Sequence, residues 1–153
     1  MHVHVSGRPG SFERASSDAL VCYVRGYAPL VNWGDHVYAR LTAMLQWREG
    51  MRVDSALTDE AWIAPEAAAL FAQVLPCGPI GVDGLGHPVV LETPGASSAL
   101  LQQLFEQMSY MTFLRCQVYN KEVLRHYLAK VSMAQRRRLY KVINVVDLSG
   151  FGS

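Results

Sequence analysis

Pro88-Val89-Val90-Leu91-Glu92 and, further along, Val142-Ile143-Asn144-Val145-Val146 are two short β-branched runs, and what lies between them decides the fold. Each is apolar and bounded by turn residues. Proline opens the first run at a position that strands tolerate, Pro94-Gly95 closes it, and Ser149-Gly150 closes the second. Between them Leu101, Leu104, Phe105, Met108, Thr112 and Leu114 recur at helical spacing behind Ser97 or Ser98 as a cap. The same character continues through Val123, Leu124, Tyr127, Leu128 and Val131. The spacing predicts one long helix. Strand, helix, strand predicts two parallel strands joined by a right-handed crossover.

Upstream of the first run, residues 76–88 carry Gly78, Gly81, Gly84 and Gly86, which reads as a long turn region and a subdomain boundary. Before it the chain reads as helical. Leu20, Val21, Val24 and Tyr27 make a turn or two ended by Pro29. Val37, Leu41, Met44 and Leu45 line one face of a second helix, with Asp35 as its cap and Gly50 as a left-handed C-cap. A third helix starts near Pro65, passes Leu70 and Val74, and stops at Pro76. Residues 1–17 read as a polar leader, residues 18–76 as a helical region and residues 77–153 as an α/β domain. The fold class expected is therefore α/β, mostly helical, with two strands. Because three or more strands are usually needed for a stable sheet, the sequence reads as the front of a larger domain, and alone is expected to aggregate.

Composition narrows the function classes. Half of the 153 residues are hydrophobic and 18% are charged, with a formal net charge of +1. No global field favours nucleic acid. Cys22, Cys77 and Cys116 show no zinc or redox spacing and read as buried reduced thiols. The leader has no apolar run behind Arg8 and Arg14, and no stretch reaches the ~20 apolar positions a bilayer crossing requires. A cytoplasmic protein, peripheral at membranes, is the expectation.

Four stretches in order resemble the CRAL-TRIO family of lipid-binding domains, which includes phosphatidylinositol/phosphatidylcholine transfer proteins. Leu20-Val21-Cys22-Tyr23-Val24-Arg25 is similar to its Leu-x-x-Phe-Leu-Arg pattern. Met44-Leu45-Gln46-Trp47-Arg48-Glu49 is similar to the helix end with Trp-Arg. Asp83-Gly84-Leu85-Gly86-His87-Pro88-Val89 is similar to Asp-x-x-Gly-Arg-Pro-Val, and Val145-Val146-Asp147-Leu148-Ser149-Gly150 to the hydrophobic-Asp-Leu-x-Gly ending. The resemblance covers residues 18–153. It implies an N-terminal helical lobe followed by part of a mixed-sheet domain in which a lipid lies in an apolar cavity. Its strand positions that reach the headgroup correspond to Val90, Val142 and Asn144, of which Asn144 alone keeps a hydrogen-bonding side chain. Phosphatidylcholine recognition is thus not expected, and His87 stands where the family has arginine.

Strand alternation puts Val142, Asn144 and Val146 on one face, and Ile143, Val145 and Asp147 on the other. With Val90 and Met108, the first face gives the candidate lipid-contacting set: Val90, Met108, Val142, Asn144 and Val146. Each has a plainer reading, as an ordinary buried strand or, with Met111 and Phe105, as a helical core stripe. Asp147 reads as a structural residue that either caps a following helix or fixes the turn before Gly150. Arg136, Arg137, Arg138 and Lys141, with Arg125 and Lys130, form a basic cluster that suits either a solvated helix end or an anionic membrane. His2 and His4 read as part of the tail. No Walker-type loop, Gly-x-Ser-x-Gly or His-Glu-x-x-His occurs, and no catalytic pair or cofactor is called for. The expected function is a non-enzymatic lipid-binding or lipid-transfer module. Its ligand would be a phosphoinositide, another phospholipid or some other hydrophobic molecule, met during transient contact with a membrane. The other readings are a membrane-associated adaptor of the same fold and a piece of an unrelated α/β enzyme.

Overall fold

The computed structural model describes Val21 and residues 24–26, 32–94 and 98–150. The leader, most of the first expected helix and the Ser97 cap lie outside the described residues. The chain divides into two compact units, Met1–Asp54 and Ser55–Ser153.

In the first unit, α1 spans Trp33–Gly50. It is entered through Asn32 in left-handed conformation (φ 58°), and Asp35 sits in the first turn rather than at the cap. A carboxylate there still complements the positive end of the helix. Gly50 is not the left-handed cap. The Met51 N–H continues to bond to the Trp47 carbonyl at 2.9 Å, so the winding runs past Gly50, and Arg52 takes the positive φ of 56°. A single 3-10 turn, Val53–Ser55, follows, and an ion pair links Arg48 to Asp54.

The second unit contains a three-stranded sheet in the order β1-β2-β3, with β1 Cys77–Val82, β2 Pro88–Glu92 and β3 Ile143–Val146. The two expected strands are β2 and β3, and they pair in parallel with Val90 opposite Asn144 and Glu92 opposite Val146. The glycine-rich segment is not only turn. Its first half is β1, antiparallel to β2. Pro79, Gly78 and Gly81 hide it: strands disfavour proline and glycine in their interiors, but an edge strand tolerates both. The register slips between Pro79 and Gly81, which leaves Ile80 63% exposed. Val142 lies just outside β3.

Asp83 organises the turn between β1 and β2. Its carboxylate accepts hydrogen bonds from the Leu85 and His87 N–H groups at 2.9 and 2.7 Å. Its own N–H donates to the His87 carbonyl at 2.9 Å. Gly86 has φ 81°, a conformation in which a Cβ is disfavoured. This is the physical content of the Asp-x-x-Gly stretch. His87 Nδ1 lies 3.3 Å from the other Asp83 oxygen, so this side chain has a charged partner.

Three helices complete the unit: α2 Pro65–Val74, α3 Ser98–Gln107 and α4 Tyr110–Ala134. The single long helix expected between β2 and β3 is two helices. Ser109 is extended and its Oγ accepts from the Thr112 N–H at 3.1 Å, so it caps a new helix where apolar spacing alone reads straight through. Phe71, Val74, Leu104, Met108 and Cys116 form the buried core where α2, α3 and α4 meet, with Phe113 beside it. The Phe71 and Phe113 rings are tilted at 5.6 Å, a favoured aromatic geometry.

The length of α4 matches the hairpin it crosses. Lys121 reaches Glu92 at one end of β2, and Gln135 donates to the Gly86 carbonyl at the other. That is about 21 Å of helix at 1.5 Å per residue, against about 20 Å of strand. Ser132 Oγ ties the exit, donating to the Leu128 carbonyl at 2.8 Å and accepting from the buried Leu139 N–H at 3.1 Å.

Candidate functional site

Side chains of Val90 and Glu92 share one face of β2, and parallel register puts Asn144 and Val146 on the same side of β3. The expected face is therefore real, but it is not uniform. Near β2 it is closed: Val90 is 1% exposed. On β3 it is open. Asn144 is exposed and Val146 is 48% exposed. Met108 lies away from the sheet, in the helical core, which matches its plainer reading as a packing residue. Val142 is half-buried at the entrance to β3. The structure thus brings Val90, Asn144 and Val146 to one face and leaves Met108 elsewhere.

The carboxylate of Glu92 is the centre of the polar groups on this face. Its Oε1 accepts from Lys121 Nζ at 3.1 Å and from Asn144 Nδ2 at 3.0 Å, with the Cys77 thiol at 3.8 Å. Partial burial pushes the carboxyl up, but the hydrogen bonds from Lys121 and Asn144 and the ammonium charge of Lys121 outweigh it. Glu92 is held below the ordinary glutamate range. Cys77 is exposed rather than buried as expected, because it lies on the edge strand β1; partial desolvation and the neighbouring Glu92 carboxylate push its thiol up. Beside this cluster Gln117, Asn120 and Thr93 line a cleft of about 50 Å³ with Phe71 and Leu75 at its apolar side. Such a volume takes a water-sized group and no acyl chain.

Neither Glu92 nor Lys121 belongs to the set read from sequence. The alternation that puts Val90 on a face also puts Glu92 there, so half of the pair was within reach. No local rule joins Glu92 to a lysine on a helix that follows it. Asp147 acts as expected: its carboxylate accepts from the Ser149 N–H at 2.8 Å, just before Gly150 at φ 80°. That bond holds the Asp147 carboxyl below its usual range.

A depressed folded-state pKa means that Glu92 contributes stability above its unfolded value of about 4.3 and loses that contribution as pH falls through the folded one. The melting temperature should therefore fall as the pH is lowered from about 5 through the folded value. In Glu92→Gln that drop should be shallower. It should not vanish, because Asp83, held down by the His87 N–H, and Asp147 titrate in the same direction. Thermal melts of both proteins across this range read the difference.

Among the described residues no helix is long and apolar enough to cross a membrane. No three His, Cys, Asp or Glu side chains among them are grouped to hold a metal ion. The mixed α/β class is what the structure itself defines. No family model matches the chain, and no curated protein matches it.

Proposed function

We propose that the chain is part of a non-enzymatic lipid-binding module of the CRAL-TRIO kind. The observation that carries this reading is the face of β3. Val146 is 48% exposed beside Asn144, and Asn144 reaches the Glu92–Lys121 pair. An apolar strand ending at a small hydrogen-bonding cluster suits a ligand with a long apolar part and a polar end. The small cleft near Gln117 is too tight for the apolar part, which is assigned to β3 with Val142 and Val146. The polar end meets Asn144 and the exposed ammonium of Lys121. The apolar part of the ligand would exchange the bilayer for contact with the half-exposed valines of β3.

Donor vesicles carrying a fluorescent phosphatidylinositol or phosphatidylcholine, mixed with unlabelled acceptor vesicles, test this reading. Protein-dependent transfer is expected, faster for the inositol lipid, since Asn144 is the single hydrogen-bonding side chain among the positions matched to choline recognition. Vesicle binding with transfer no faster than without protein would favour the adaptor reading instead.

A further inference from the structure

The basic residues around the end of α4 and the tip of the β1–β2 hairpin are distant in sequence and adjacent in space. The Arg137 guanidinium donates to the Leu85 carbonyl, and Gln135 Nε2 donates to the Gly86 carbonyl at 2.8 Å. Two side chains thus hold the hairpin tip against the turn that carries Arg136, Arg137 and Arg138. Lys141 follows, exposed. Leu85 at the tip is 68% exposed, and Val82 and Ile80 on the adjoining strand are 51% and 63% exposed. The acid in this turn, Asp83, is already engaged by His87 and by two backbone N–H groups. An exposed leucine beside several cations is the composition of a surface that enters a lipid interface while meeting its phosphates.

We propose that the hairpin tip and the basic turn after α4 form one docking surface for an anionic membrane. Leu85 enters the interfacial layer, and Arg136, Arg138 and Lys141 meet lipid phosphates. The proposal does not depend on lipid transfer, because docking is read by sedimentation and transfer by exchange of label.

The test uses the full chain with phosphatidylcholine vesicles prepared with and without phosphatidylserine. Arg137 is left in place because it holds the Leu85 carbonyl, and Arg138 because its guanidinium lies 5.4 Å from the Tyr140 ring centroid. Arg136 has φ 49°, so Arg136→Asn is chosen as a residue that accepts that conformation. With Lys141→Gln, two cations are removed, each worth about fivefold in partitioning. Binding to the serine-lipid vesicles should fall about 25-fold in this double variant. Leu85→Ser should also weaken it, with circular dichroism unchanged in both proteins. Equal binding to both vesicle types, or no loss in the double variant, would overturn the proposal. So would retention on an acidic polypeptide such as polyglutamate together with no binding to either vesicle.

Discussion

Leu104→Ala is expected to destabilise the Ser55–Ser153 unit by about 2–5 kcal/mol, because it opens a cavity that the surrounding helices cannot fill. Leu104, on α3, is 0% exposed and lies among Phe71 and Val74 of α2, Met108 of the α3–α4 link and Cys116 of α4. Helices anchored by loops at both ends collapse only partly onto a vacated site. A loss of this size is a large share of the 5–15 kcal/mol that holds a typical domain, and should lower the melting temperature by roughly 10–25 °C. Met133→Ala is the internal control: Met133 is 77% exposed, and its loss should stay within about 0.5 kcal/mol. Urea unfolding of the two variants and the parent protein measures both values. A cost below about 1 kcal/mol for Leu104→Ala would mean that the three helices do not share a close-packed core.

The second expected result contrasts two valines on one sheet face. Val90→Ser should cost about 3–5 kcal/mol, combining lost apolar burial with a hydroxyl placed where it finds no partner. Val90 is 1% exposed on the face of β2 that also carries Glu92 and Lys121's contact to it. Val146→Ser makes the same chemical change on the same face of β3, where the side chain is 48% exposed. Its cost should stay below about 1 kcal/mol. On the proposed function, however, Val146→Ser should slow lipid transfer while the protein remains folded. The pair therefore separates residues that build the sheet from residues that meet a ligand. Equal losses of stability in both would contradict the assignment of β3 as the open part of this face.

Much of the architecture was legible where a signal is local. The valine-rich runs at Pro88 and Ile143 are strands, their connection is helical and their pairing is parallel, because short continuous apolar runs separated by a helical crossover have few other solutions. Pro65 opens α2 as a first-turn proline should. The errors fall where a weak local preference is overruled by tertiary context. β1 is built from Cys77, Gly78, Pro79, Ile80, Gly81 and Val82, a composition that reads as turn and becomes strand only because β2 offers it an edge to pair with. The break at Ser109 is a capping event inside continuous apolar spacing. At the candidate site, Asn144 was legible from alternation, whereas its partners Glu92 and Lys121 are joined across the α3–α4 crossover, where no spacing rule reaches.

The central proposal is a folded chain that holds a lipid against β3, and the most direct measurement is the mass of what it carries. The protein is incubated with mixed phospholipid vesicles, separated from them, and analysed both in native mass spectrometry and by extraction of bound lipid. A bound phospholipid near one per chain, reduced in Val146→Ser at unchanged circular dichroism, is the predicted result. Lipid-free protein after incubation, with the fold intact, would contradict it.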